Sequence, residues 1–347
     1  MKHGAEVAAF EKAFAQYVGA KYAVACTNGT VTMEVALRAL RVGAGDRVAT
    51  TPLTMASTSI AILNVGAIPI YRDVDPKTWL MRPLPEDRVL LPVELFGLQL
   101  KNGSLNYRDA KPRSFVYDGA QTLKRAVPYE GELGSSFRSY SFQRSKILNT
   151  GEGGMLVTDD EALALHARSI GSLGYDMRVD QPRIDPAVLK SPSYARHHQL
   201  MSMNARMNDL TAREGLRQLE KADTLLHDRG VCADLYATAF RGFEHLATPQ
   251  FVPNGSTHDY WTYAVRLADG VAWGLLADAI ERHGGERPYA AWRLTFDEPA
   301  FERIGEGRGN CPVARDLQPR LMQFQTNDRG AAAINAKALR TALHGLR

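Results

Sequence analysis

The sequence predicts an α/β fold in which a large domain with a mostly parallel, helix-covered sheet precedes a smaller C-terminal α+β domain. Short apolar runs rich in Val, Ile, Leu and Phe alternate with segments of helical period through the first half of the chain. Gly, Pro, Asn and Asp punctuate the junctions. A polar, proline-bearing stretch from about residue 175 to 200 reads as a long loop and precedes a second region of mixed pattern. A length of 347 residues fits two domains, each able to bury a core. The division is expected at 1–228 and 229–347.

Phe10, Phe14, Tyr17 and Val18 recur at helical spacing and stop at Gly19, which predicts the first helix. "AVACTNGT" reads as a strand ending in a turn, and "VTMEVALRAL" as the helix that follows. "GAGDRVAT" supplies a turn and strand, and "STSIAILNVG" a helix. "AIPIYRDVD", "RVLLPVELFG" and "SFVYDGA" predict three further strands. "GGMLVTDD" is another strand, leading into the helix "EALALHARSIGSL" with Asp159 or Asp160 as its cap. One strong helix is expected over "NDLTAREGLRQLEKADTLLHDRGVCADLYATAF", with Leu210, Leu216, Leu219 and Leu225 on a single apolar stripe. Tyr260 and Trp261, in "YWTYAVRL", are assigned to a strand of the small domain. The chain has no internal repeat and no low-complexity segment.

At 45% apolar and 23% charged, the composition is that of an ordinary globular protein. The net charge of +4 is scattered, which argues against a nucleic-acid or membrane surface. Cys26, Cys232 and Cys311 are odd in number, far apart and form no CxxC, so neither a disulfide framework nor a zinc site is expected, and a reducing cytoplasm is. The first twenty residues carry charge throughout, unlike a signal peptide. No apolar run is long enough to span a membrane. His197 and His198 are adjacent and point apart, so they read as loop residues, and no metal is expected.

In a parallel sheet, ligands bind beyond the carboxyl ends of the strands. Three motifs fall there. The first is "TNGT", Thr27 to Thr30, a Gly-bearing turn whose free N–H groups and helix dipole attract phosphate. The dipole contributes only ~0.3–1 kcal/mol per charge, so Asn28 and Thr30 must add directed hydrogen bonds, or the turn is an ordinary cap. The second is Asp118, which ends an apolar strand. A buried carboxylate there is costly unless it faces a cation such as a protonated pyridine nitrogen; the other reading is a helix cap. The third is Lys146 in "SFQRSKILNTGEGG", either a solvated charge or the lysine that pyridoxal phosphate chemistry needs to hold an aldehyde as a Schiff base and then move a proton. Ser141 can place a hydroxyl on the cofactor phosphate. "GEGG" is no dinucleotide fingerprint, since no G-x-G-x-x-G opens a helix there.

Taken together, "FEKAFAQYVGAKYAVACTNGT", "ALRVGAGDRVATTPLT", "GAIPIYRDVDP", "PVELFG", "DGAQ", "SYSFQRSKILNTGEGGMLVTDDE" and "NARMNDLTAREGLRQLE" resemble the DegT/DnrJ/StrS sugar aminotransferases over most of the chain. The resemblance implies a type I pyridoxal-5′-phosphate-dependent transferase fold. It implies Lys146 as the Schiff-base lysine, Asp118 at the pyridine nitrogen and Gln121 near the ring. It also implies Gly29, Thr30 and Ser141 at the phosphate, and Asn204 reaching that phosphate from the partner of a homodimer. Lys146 argues against the branch that carries histidine there and acts as a dehydratase. The expected reaction moves an amino group from glutamate or glutamine to a nucleotide-linked keto sugar. A cyclitol or other nucleotide-derived ketone is the first alternative, and a catalytically degenerate cofactor-binding scaffold the second. Met55 stands where the family usually has a stacking aromatic, and a thioether still offers roughly 0.3–1.5 kcal/mol against a ring. Segments on either side of "PVELFG" are shorter than usual and the first helix starts late, so part of the substrate pocket is expected to be open or rebuilt.

Overall fold

The computed structural model describes residues 4–100, 114–124, 135–175, 198 and 200–345. Most of the expected loop at 175–200, with His197, lies outside the described residues. Helix α1 (Ala5–Val18) stops at Gly19, whose φ of 71° takes the chain into the left-handed region. Its Phe10 and Phe14 are buried against Tyr140 and Phe142 with ring centroids 5.0–5.4 Å apart. Then come β1 (Tyr22–Cys26), α2 (Gly29–Ala39), β2 (Arg47–Thr50), α3 (Ser57–Asn64), β3 (Ile68–Tyr71), β4 (Val89–Leu90), β5 (Leu98–Gln99), β6 (Ser114–Asp118), β7 (Ser135–Ser141), β8 (Gly154–Thr158) and α4 (Glu161–Gly171). The α4 cap is Asp160, whose side chain accepts from Leu163 N.

Seven of these strands form one sheet in the order β1-β8-β7-β6-β4-β2-β3. The pairs β2–β3, β2–β4, β4–β6 and β6–β7 are parallel, and β8 runs antiparallel to both of its neighbours. The reversal follows from connectivity, because a tight loop rather than a crossover helix joins β7 to β8. Strand β7 is absent from the sequence expectations. Its polar content hides it, yet Ser139 is fully buried and Arg138 is drawn inside by Glu94 at 2.6 Å.

The expected single helix after residue 208 is two, α5 (Asp209–Leu219) and α6 (Ala222–Phe240). The chain leaves helical geometry at Lys221 (φ −102°, ψ 2°). No Gly or Pro marks that break. Leu216, Leu219 and Leu225 pack on the core under α1, but Leu210 is 76% exposed and does not belong to the stripe. The rest comprises β9 (Ala247–Pro249), β10 (Thr257–His258), β11 (Thr262–Leu267), α7 (Trp273–Arg282), β12 (Tyr289–Ala290), α8 (Pro312–Leu317), β13 (Leu321–Gln325) and α9 (Arg329–His344). An antiparallel sheet β12-β13-β11-β9 shares a core with α6, α7 and α9. Tyr260 and Trp261 precede β11 rather than lie on it.

One further core joins the two sheets, with Leu95, Leu98 and Phe115 packed in the same cluster as Ala264, Phe296 and Leu321. The short pair β10–β5 ties them by backbone hydrogen bonds. Among the described residues, no helix is long and apolar enough to cross a membrane.

Candidate active site

Lys146 sits on the loop that joins β7 to β8. Phe142 N donates to Gly153 O (2.8 Å) and Thr150 N to Phe142 O (2.9 Å), which closes the base of the loop. Within it, Lys146 N donates to Gln143 O (2.8 Å), and Ser145 N and Oγ both donate to Gln143 Oε1. The lysine therefore projects from a fixed turn at the sheet edge. Its side chain is half-buried. Burial holds the ammonium below the ordinary lysine range, and the Asp118 carboxylate pulls partly back.

The glycine-bearing turn after β1 lies directly against that loop's entry. A Cβ on Gly29 would fall 2.7 Å from Ser141 Cβ, and one on Gly154 would fall 2.6 Å from the Asn28 carbonyl carbon. Only glycine permits this approach, and it brings the start of α2 and the Ser141 hydroxyl to one point. Asn28 is the helix cap, its Oδ1 accepting from Val31 N (2.9 Å). The cap is thus observed, and a capped N-terminus still presents its dipole.

Asp118, at the end of β6, is buried. Thr58 Oγ1 donates to its Oδ2 (2.7 Å) and Ala120 N to its Oδ1 (3.1 Å). Its backbone is pinned to the neighbouring strand connection, with Asp118 N donating to Pro92 O (2.9 Å) and Glu94 N to Asp118 O (3.0 Å). Gln121 is buried and its Oε1 accepts from Phe96 N (2.5 Å), so it braces a second loop at this edge. Met55 lies three residues before Thr58, its carbonyl accepts from Thr58 N (3.3 Å), and its side chain is half exposed. Asn204 is exposed on a short extended segment. Ala205 beside it accepts from Thr27 N (3.0 Å), and Ser172 pairs with Asn204 itself.

Four residues that the sequence expectations leave out also reach this edge. Thr58 orients Asp118. Glu94 is buried, receives Thr122 Oγ1 (2.8 Å), faces Arg138 and is pushed by burial up to about 7. Asp259 accepts from Leu123 N (2.7 Å) and Lys124 N (3.0 Å), just after Gln121. Trp261 sets its ring 5.0 Å from Lys146 Nζ. The one local signal was a polar–aromatic "HDYW" run entering a strand. The separations involved, up to 136 residues, leave no periodic trace. Among the described residues, no group of three or more His, Cys, Asp or Glu gathers as a metal set.

The DegT/DnrJ/EryC1/StrS aminotransferase family model matches residues 1–329. GDP-perosamine synthase of Caulobacter vibrioides is 30% identical over 281 residues, covering 78% of this chain and 71% of that protein. L-glutamine:scyllo-inosose aminotransferase of Streptomyces griseus is 27% identical over 347 residues, covering 91% and 80%. The PLP-form of the putative sugar aminotransferase Spr1654 of Streptococcus pneumoniae aligns with a TM-score of 0.82 at 19% identity, covering 100% of this chain and 93% of that one. At that identity the likeness speaks to the fold.

Proposed function

The chain belongs to the DegT/DnrJ/EryC1/StrS aminotransferase family, and from that premise we propose that it transfers the amino group of glutamate or glutamine to the keto group of a nucleotide-linked keto sugar, using pyridoxal 5′-phosphate. The carrying observation is that Lys146, half-buried and held by burial below the ordinary lysine range, lies close enough to the buried Asp118 at the carboxyl end of β6 to feel its charge. The residues fit the cofactor. The close approach of Gly29 to Ser141 sets the Ser141 hydroxyl beside the N-terminus of α2, where a phosphate is favoured.

When bound, the cofactor supplies an aldehyde to take up the amino group and a ring to take up the electron pair released at the substrate Cα. With the cofactor bound, Lys146 would hold its aldehyde and move the proton at the substrate Cα; burial holds its ammonium below the ordinary lysine range, the direction that both tasks favour. Asp118 would accept the ring N–H and keep it protonated, its carboxylate oriented by Thr58 Oγ1 and Ala120 N. Gly29, Thr30 and Ser141 hold the phosphate, with Asn28 capping the helix beneath it. Met55 would face the ring and Gln121 would lie beside it.

A homodimer with shared sites completes the reading. Asn204 is exposed, and so are the large apolar Leu200, Met201 and Leu210 around it, which supports a second copy covering this stretch. Buried free thiols at Cys26, Cys232 and Cys311 support a reducing compartment, the cytoplasm. The division at 1–228 and 229–347 is retained as a proposal, with α6 running across it.

The relative acting on scyllo-inosose favours one second reading, the same chemistry on a cyclitol. A panel of nucleotide-linked keto sugars and keto cyclitols, each with glutamate and glutamine, tests both. Turnover confined to keto sugars is expected. Turnover confined to cyclitols would replace the substrate assignment, and turnover of neither class would reject both.

A further inference from the structure

We propose that Trp261 is the positioning residue of Lys146, holding the lysine loop against the loop that follows Asp118; the inference rests on the role of Lys146 given above. Two contacts carry it. The indole ring lies 5.0 Å from Lys146 Nζ, and its Nε1–H donates to Ser145 O at 2.7 Å. One side chain therefore fixes both the backbone just before the lysine and the amine itself. A lysine on a four-carbon stem otherwise samples many rotamers, and the ring face narrows them by attracting the ammonium.

Trp261 is itself held. Its carbonyl accepts from Arg229 Nη1 (2.9 Å) and Thr326 Oγ1 (3.1 Å), and its ring stacks on Trp292 with centroids 5.9 Å apart. The residues before it grip the other handle. Asp259 receives Leu123 N and Lys124 N, while Asp259 N donates to Gly97 O (2.9 Å). Tyr260, between them, has φ 46°, a strained conformation for a bulky residue that persists only where its surroundings enforce it. A role in core packing alone would not require the indole N–H on Ser145, nor leave the ring half-exposed beside the amine.

The test compares the wild type with Trp261→Leu and Trp261→Phe, all prepared free of cofactor and matched for melting temperature. Each is mixed with pyridoxal 5′-phosphate, and covalent capture, in which the amine displaces the carbonyl oxygen as water, is followed by absorbance. Borohydride reduction and peptide mapping locate the adduct. Affinity for pyridoxamine 5′-phosphate, which has no aldehyde, is measured alongside. Trp261→Leu is expected to slow capture by about tenfold or more while pyridoxamine 5′-phosphate binds within about twofold of wild type. Trp261→Phe keeps a ring face and loses the N–H, so it should fall between. Wild-type capture rates in Trp261→Leu would overturn the proposal, as would equal losses for both ligands. If Trp261→Leu does not fold, wild-type capture by Trp261→Phe overturns it. A wild type whose adduct lies elsewhere than Lys146 would instead overturn the underlying role of Lys146.

Discussion

Among the described residues, the Asp118 carboxylate has no charged partner at hydrogen-bond distance; Thr58 Oγ1 and Ala120 N hold it. A hydrogen bond to a charged group contributes about 1.5–3 kcal/mol, so its loss should be visible in function. Thr58→Val, which keeps the shape and removes the donor, should lower kcat by roughly tenfold or more, whereas Thr58→Ser should recover most of it. Steady-state kinetics with both substrates near saturation checks this, and an unaffected Thr58→Val would show that the hydroxyl does not matter. Lys146, Asp118, Ser141 and the "TNGT" turn were singled out in the sequence because each belongs to a local motif, and Asp118 and the turn also follow apolar runs that read as strands. Thr58 was not, because it meets Asp118 across 60 residues, and Trp261 meets Ser145 across 116. Nothing in a short window records such contacts.

Among the elements, β7 and the turn after β4 are coupled by the buried pair Glu94–Arg138. Burial raises the Glu94 carboxyl from the usual carboxylate range to about 7, so the folded state holds its proton more tightly than the unfolded chain does. That contribution is fully present below the unfolded value and is lost as pH rises through about 7. Glu94→Gln cannot ionise, and the cost of leaving Arg138 unpaired is the same at every pH in this range because Arg138 does not titrate. The melting temperature of Glu94→Gln relative to wild type should therefore increase from pH 5 to pH 8. A constant difference across that range would contradict the raised value. The same pair explains why β7 escaped the sequence reading: an arginine and serines inside a sheet carry no apolar alternation, and only their partners show why they are buried. The α5–α6 break escaped for a related reason, since apolar spacing continues across it and no helix breaker marks it.

At the scale of the molecule, α1, the lysine loop and Trp261 before β11 share one core, and the glycine turn abuts Ser141 at the entry of that loop. Apolar strands alternating with helices made the large sheet legible. The joining of both sheets was not, because its core draws on residues that are apolar for any fold, and the β5–β10 pair is a backbone contact between residues 158 apart. The shared-site dimer belongs at this scale too. If the proposed homodimer forms, Lys146→Ala and Asn204→Asp should each impair their own. If Asn204 serves the partner's phosphate, a mixed dimer collects both defects in one site and leaves the other intact. Refolding the two variants together should then restore roughly a quarter of wild-type activity, given random pairing and independent sites. No recovery, with mixed dimers shown to form, would mean that Asn204 acts within its own chain or not at all.

The central claim is that Lys146 carries the cofactor. Its most direct test is to reduce the pyridoxal 5′-phosphate-loaded protein with borohydride, digest it and locate the cofactor mass by peptide sequencing. The account predicts one adduct, on the peptide containing Lys146, that vanishes in Lys146→Ala. An adduct on another lysine, or none at all, would contradict it.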